Sequence, residues 1–375
     1  MNGNSGQQQP SGSHHLRRSG VIAVIVLCIM LLSSCSLWGT GPQKQTNKSS
    51  QSIQMTSLPK DTTGTLILQS GSSTWLFHAN NSQSLQVLGG QYISVSPDGT
   101  LLLEDGQRFV STETGKTISN VRAVTTAAGL QESLWLSPHE IVLGSYQAAG
   151  LYTVGLTSAD AQVLSSHCSL GIYSPQAVNS NAKALLCLTD TGSLGIISYG
   201  NTPGNLTSIT LHLLTQPQVE YISYPIWAPD GQHIVFVWGT SVGSTPPTSS
   251  SIVMTKLDGT AFTVLASASD GAFDTLPVWS PDRKQLAYVQ ENAGQGSSKA
   301  TFAIHLLTLS TLHDQVVASG NGIGPSNIVW SPDDHYLAYD DIVSTDQAGA
   351  VTLFQISSGH SYTFATGMTL VGWAV

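Results

Sequence analysis

The sequence predicts an all-β fold, a seven-bladed β-propeller closed by N- and C-terminal strands that share one blade. Three observations predict it. First, a short phrase recurs as Val95-Ser96-Pro97-Asp98-Gly99, Trp227-Ala228-Pro229-Asp230-Gly231, Trp279-Ser280-Pro281-Asp282 and Trp330-Ser331-Pro332-Asp333. Weaker copies stand at Leu136-Ser137-Pro138 and Tyr173-Ser174-Pro175. Second, the prolines of successive copies are 37 to 54 residues apart, close to the roughly 40–50 residues of a four-stranded blade. Third, Trp373 lies 43 residues after Trp330, in Val371-Gly372-Trp373-Ala374-Val375, an innermost strand with no blade of its own. Six or eight blades are the alternatives, because the second and third copies are degenerate.

Each copy reads as a tight reversal between two strands. Proline presets φ for the turn, Asp bonds nearby amides, and Gly accepts the positive φ that follows. The four aspartates (Asp98, Asp230, Asp282, Asp333) are therefore assigned to turns rather than to a metal. The bulky apolar residue before the turn ends the inner strand. The next strand then begins, as Leu101-Leu102-Leu103, Ile141-Val142-Leu143, Leu185-Leu186-Cys187, Ile234-Val235-Phe236, Leu286-Ala287-Tyr288 and Leu337-Ala338-Tyr339. Ahead of the first copy, Thr65-Leu66-Ile67-Leu68-Gln69, Thr74-Trp75-Leu76-Phe77-His78 and Ser84-Leu85-Gln86-Val87-Leu88 read as three more strands. With the Trp373 segment they complete a blade, and closing the ring removes the exposed edges of an open array.

Residues 1–34 read as an export signal. Arg17-Arg18 precede an apolar run, residues 21–32, that is short for a bilayer span. Leu32-Ser33-Ser34-Cys35 resembles the bacterial lipobox, which implies a lipid on Cys35 and a protein held on a membrane, facing outside the cytoplasm. Residues 35–63, rich in Ser, Gln, Asn, Thr, Gly and Lys, read as a disordered tether with an end-to-end distance of about 30 Å. Residues 64–375 are the propeller domain. The formal charge of −9 becomes −11 once Arg17 and Arg18 leave with the signal, which argues against a nucleic-acid partner. Cys168 and Cys187 are expected to form a disulfide in an oxidising compartment. Their midpoint coincides with that of a loop at residues 174–181, about which two strands would fold to set them opposite each other.

The Trp-Ser-Pro-Asp-Gly phrase and its apolar strand resemble the WD-like propeller repeat of TolB-like proteins and of prolyl oligopeptidases, over residues 65–375. Propeller-bearing bacterial lipoproteins are similar too. The chain is expected to differ from TolB in having no α/β domain ahead of the propeller. It is expected to differ from prolyl oligopeptidases in having neither a hydrolase domain nor a nucleophile elbow. No His-Glu-x-x-His, Cys-x-x-Cys or calcium-loop pattern occurs, so no cofactor, metal or catalytic residue is assigned.

One organisational feature points to function. In a four-stranded blade, the loop after the second strand and the link to the next blade share a face, with the Pro-Asp turns on the other. The loops at 239–250, 291–299 and 341–350 are long, and the links at 216–224, 267–276 and 319–326 join them. Binding residues concentrate on such loops above a rigid scaffold. Tyr221, Tyr224, Asp270, Phe273, Asp274, Glu291, Asp340 and Asp341 form the candidate interaction face, on blades four to six. The expected function is non-enzymatic binding or scaffolding of a protein or glycan partner. The alternative is a propeller enzyme of lactonase or glycosidase type with acids at the central channel, although Ile93, Leu134, Ile226, Val278 and Val329 make the innermost strands largely apolar.

Overall fold

The computed structural model describes residues 54–79, 84–88, 93–104, 108–120, 132–144, 150–156, 162–170, 174–189, 193–200, 206–208, 220–240, 249–268, 271–294, 299–344 and 347–375. Seven antiparallel sheets form a ring, so the fold is a seven-bladed β-propeller. From the inner strand outward, blade 1 holds Ile93–Val95, Leu101–Glu104, Arg108–Ser111 and Thr117–Asn120. Blade 2 holds Glu132–Ser137, Glu140–Gly144, Leu151–Gly155 and Gln162–Ser165. Blade 3 has a split inner strand, Cys168–Ser169 and Val178–Asn179, followed by Ala184–Thr189, Leu194–Ser198 and Leu206–Ser208. Blade 4 holds Glu220–Trp227, His233–Thr240, Ser249–Lys256 and Thr263–Ser267. Blade 5 holds Ala272–Trp279, Gln285–Asn292, Thr301–Thr308 and His313–Asn321. Blade 6 holds Ile328–Trp330, Tyr336–Ser344, Gln347–Gln355 and His360–Thr366, with Gln54–Met55 added outside. Blade 7 takes its inner strand from Thr369–Ala374 and the rest from Thr65–Ser70, Ser73–His78 and Ser84–Leu88.

The second strands are apolar without alternation because both of their faces are buried. In blade 5, Leu286 and Tyr288 pack on blade 4, while Ala287 and Val289 pack on blade 6. The core is thus a ring of inter-blade layers rather than one central mass. A layer closes every junction, including the one between blades 7 and 1, where Ile67, Leu76 and Ala374 meet Leu102 and Val110.

The recurring turns are held by their own side chains. Ser96, Ser280 and Ser331 donate their hydroxyls to Asp98, Asp282 and Asp333 at 2.7, 2.7 and 2.6 Å. The same hydroxyl oxygens accept the amides of Leu101, Gln285 and Tyr336, which start the next strand. In the copy that carries Ala228, Asp230 instead accepts the amide of Gln232 and pairs with the His233 ring. Gly99 and Gly231 take the positive φ of the turn, and Arg283 and Asp334 take it in the copies without glycine, at 66° and 63°. A Cβ is strained there.

The copy at Ser174-Pro175 is not a turn between strands. Ser174 caps a short 3-10 helix, Pro175–Ala177, inside the inner strand of blade 3. Ser169 pairs with Leu188 and Val178 with Leu185, so the ladder passes from Ser169 to Val178 against only residues 186–187 of the partner strand. Cys168 and Cys187 are bonded across this gap, with a Cα–Cα distance of 5.8 Å. The register sets Thr189, not Cys187, opposite Cys168. The hairpin about residues 174–181 is therefore corrected to a tighter one between Asn179 and Ala184. Both cysteines are buried, and their bond anchors an inner strand that has only two ladder residues at its start.

Closure follows the expected plan. Trp373 lies opposite Leu66 at the inner edge of blade 7 and donates its indole N–H to the Thr63 carbonyl at 3.0 Å. Gly64 backs onto Ala374 so closely that a Cβ there would sit 2.1 Å from the Ala374 carbonyl oxygen.

The ordered contacts begin earlier than residue 64. Gln54 and Met55 pair with Thr366 and Ala365 on the outer strand of blade 6. Leu58 is buried in the layer between blades 6 and 7. The Asp61 carboxylate accepts the Tyr336 hydroxyl, and Asp333 accepts the Thr63 amide at 2.7 Å. Residues 54–63 thus form a strap over the outer opening between the last two blades, and the expected tether keeps only residues 35–53, which lie outside the described residues.

Two outcomes are expected in thermal and denaturant unfolding. Arg283→Gly stabilises the protein by about 0.5 kcal/mol, because relief of the left-handed strain exceeds the added freedom of the unfolded chain. The double replacement Cys168→Ala/Cys187→Ala lowers stability by about 3 kcal/mol, since the bond closes a loop with a separation of 19 residues.

Candidate interaction face

The links between blades and the loops after the second strands lie on the face opposite the Pro-Asp turns. Strands occupy much of the sequence expected to be loop. The inner strands of blades 4 and 5 begin at Glu220 and Ala272, so Tyr221, Tyr224, Phe273 and Asp274 are strand residues. The second strand of blade 6 runs on to Ser344 and the third begins at Gln347, so the long loop expected at 341–350 is corrected to a tight one. These strand ends carry polar residues because they project beyond the apolar layers, and polarity made them read as loops. Asp270 and residues 241–248 and 295–298 lie outside the described residues.

Two of the candidate acids are structural. Asp340 is 1% exposed. Its Oδ1 accepts the amides of Ser326 and Asn327 at 2.7 and 3.0 Å, and its Oδ2 accepts the Ser326 hydroxyl and the Leu370 amide at 2.5 and 3.1 Å. One carboxylate thereby ties the entry to blade 6 to the inner strand of blade 7. Burial raises its pKa against the effect of these donors. Asp274, also 1% exposed, accepts the hydroxyl of Ser250 from blade 4 at 3.2 Å and the Gln290 side-chain amide at 3.3 Å. Burial pushes its pKa up to about 6 in spite of those bonds. Both carboxylates are buried and taken up by these bonds, so neither is exposed on the face to which it was assigned.

Five of the candidate residues remain. Glu291 pairs in register with Phe273, accepts the Thr275 hydroxyl at 3.1 Å and packs under Gly324 of the next link. Burial pushes its pKa up to about 7. Phe273 is half-buried. Tyr224 precedes Pro225 with φ at 52°, at a bulge between Ser223 and Ile226, and Leu276 repeats this one blade on, with φ at 51° before Pro277. A non-glycine residue before proline rarely takes that conformation, and a bulge re-aims the side chain it carries. Asp341 is half-buried, and its Oδ1 has no hydrogen-bond partner among the described residues. Tyr221 lies in the same inner strand, opposite Gly239.

Sequence reasoning missed Gln176. From the 3-10 helix of blade 3 its side-chain amide donates to the Trp279 carbonyl at 3.1 Å and accepts the Trp279 amide at 2.8 Å. Trp279 belongs to blade 5, two blades away. The Trp227 indole of the blade between donates to the Ala177 carbonyl at 2.9 Å. Gln176 therefore bridges the ring on the side of the Pro-Asp turns. No local signal marks it, because its partner is 103 residues distant.

The chain does match Gly-x-Ser-x-Gly once, at Gly239-Thr240-Ser241-Val242-Gly243. A nucleophile elbow needs a strand, a turn and then a helix. Among the described residues the strand His233–Thr240 is succeeded by the strand Ser249–Lys256, and Ser241 lies outside them.

No family model matches the chain, and no curated protein matches it. Solved structures do. An oligogalacturonate lyase from Vibrio parahaemolyticus aligns with a TM-score of 0.51 at 13% identity, covering 80% of this chain and 86% of that one. A protein proposed to be a 6-phosphogluconolactonase from Bacteroides fragilis aligns with a TM-score of 0.53 at 14% identity, covering 84% and 98%. TolB from Acinetobacter baumannii aligns at 0.45 and 13% identity, covering 82% of each chain. Such low identities show the propeller fold alone.

The raised acids set a pH dependence. Glu291 and Asp274 keep their protons in the folded state at pH values where the unfolded chain has lost them. Their penalty appears above their ordinary values of 4.5 and 3.8 and is complete above about 7 and 6. The turn aspartates act oppositely at lower pH. Burial raises them, but hydrogen bonds outweigh it and hold Asp98, Asp282 and Asp333 below their ordinary value. Glu291→Gln, which still accepts the Thr275 hydroxyl, is expected to gain about 2 kcal/mol at pH 8 and little at pH 4.5, as read by denaturant unfolding at both.

Proposed function

We propose that the protein is a membrane-anchored, extracytoplasmic propeller that binds or scaffolds a protein or glycan partner through the loop face of blades 4 to 6, without catalysing a reaction. The observation that carries this reading is the commitment of Asp274 and Asp340 to bonds between neighbouring blades. Acids that would serve as a catalytic pair instead hold the loop-face ends of the blades in fixed relation. What stands at that rim is an aromatic and two carboxyl groups, Phe273, Glu291 and Asp341, while the strained Tyr224 packs into the layer between blades 4 and 5. Rigid strands carrying such residues suit recognition, where a preorganised surface loses little freedom on binding. Lipid on Cys35, from the lipobox resemblance, supplies the anchor.

One observation favours an enzyme. The Glu291 carboxyl, with a pKa near 7, is in the range of a general acid at neutral pH, and the solved structures of this fold include a lyase and a proposed lactonase.

Site-specific photo-crosslinking in native membranes separates the two readings. Crosslinkers at Ala293 and Ile323 on the loop face are expected to trap one discrete adduct, and those at Gln232 and Lys284 on the turn face are not. Phe273→Ala/Glu291→Gln should cut the adduct at least fivefold. Equal yields from both faces would overturn the binding reading, and hydrolysis of a lactone or glycoside that disappears in Glu291→Gln would replace it with the enzyme.

A further inference from the structure

We infer that the strap holds the loop face of the propeller toward the membrane, so that the partner met there is a protein seated in or on that same membrane. This rests on the reading of Cys35 as the lipidated residue.

The direction of the strap carries the inference. The outer strand of blade 6, His360–Thr366, runs from the turn face to the loop face and leads into the inner strand of blade 7 at Thr369. Gln54 pairs with Thr366, at the loop-face end, and Met55 with Ala365. The amide of Thr56 then bonds the Phe364 carbonyl, Asp61 meets Tyr336, and Thr63 meets Asp333 in the Pro-Asp turn. The strap thus descends the whole height of the ring, from the loop face at residue 54 to the turn face at residue 63. Gln54, the described residue nearest to Cys35 in sequence, thus stands at the loop-face rim.

Geometry then favours one orientation. Residues 36–53 separate Cys35 from Gln54, and eighteen residues reach at most ~60 Å when fully extended. A blade strand of eight residues, such as Glu220–Trp227, is about 26 Å tall. With the turn face toward the bilayer, the connection would first have to retrace that height outside the ring and give up nearly half of its reach. With the loop face toward the bilayer it retraces nothing. The mature charge of −11 supplies no attraction to anionic lipid, so the face is near the membrane through its attachment and not through its own charge. A partner anchored in the bilayer is met at the high effective concentration that a short connection creates.

The test uses the full lipidated chain purified from membranes and returned to phosphatidylcholine vesicles that contain a nitroxide headgroup lipid. A fluorophore is placed on Ala293→Cys at the loop face or on Gln232→Cys at the turn face. Quenching at residue 293 is expected to be at least twofold stronger, and a forty-residue Gly-Ser insertion before Gln54 should bring the two sites to parity. Equal quenching without the insertion, or stronger quenching at residue 232, would overturn the orientation. Cys35→Ala is expected to abolish vesicle association. Persistence of binding in that variant would overturn the anchor, and the orientation with it, as an outcome separate from the quenching pattern.

Discussion

Each blade has a middle that cannot be left facing water on either side. Leu286-Ala287-Tyr288-Val289 and Ile234-Val235-Phe236-Val237 are almost wholly buried, and one sheet covers only one face of its neighbour. A row of such sheets would always leave two apolar faces open at its ends. Curling the row until its ends meet is the solution that covers them all, so the pairing of Thr369–Ala374 with Thr65–Ser70, which completes blade 7, conditions every layer between blades. The strap over blades 6 and 7, with Leu58 in their shared layer, reinforces that junction from outside.

The same constraint decides what the acids do. A carboxylate between blades must have donors, because an unpaired polar group there is costly. Asp340 finds four donors, two of them amides of the entry to its own blade and one the amide of Leu370 in the next blade. Asp274 finds a serine from the preceding blade. These groups resemble a reactive pair in sequence and act as fasteners in space. Glu291 differs, since one hydroxyl and a glycine link are its close neighbours, and its carboxyl is correspondingly easier to keep protonated.

Legibility in the sequence follows the range of the interactions. The turns at Asp98, Asp230, Asp282 and Asp333 could be read because every bond that makes them lies within five residues. Closure could be read because Trp373 repeats a local pattern at the spacing of its predecessors. The 3-10 helix of blade 3 could not, since Ser174-Pro175 begins a turn and a 3-10 helix equally well and the choice is made by Trp279 and Trp227. The strap was hidden for a related reason. Residues 54–63 are polar by composition, and their order comes from Tyr336, Asp333 and Phe364, some three hundred positions downstream. The candidate face was legible as a region and not as a residue set, because polarity alone does not separate a strand end under a loop from the loop itself.

The contact between Gly64 and Ala374 has a topological consequence. With those two positions touching, a peptide link between them would make the ring of sheets a ring of covalent bonds as well. Which blade is counted first is then a matter of where the circle is cut. Permutants opened at any of the links between blades would keep all seven neighbour relations.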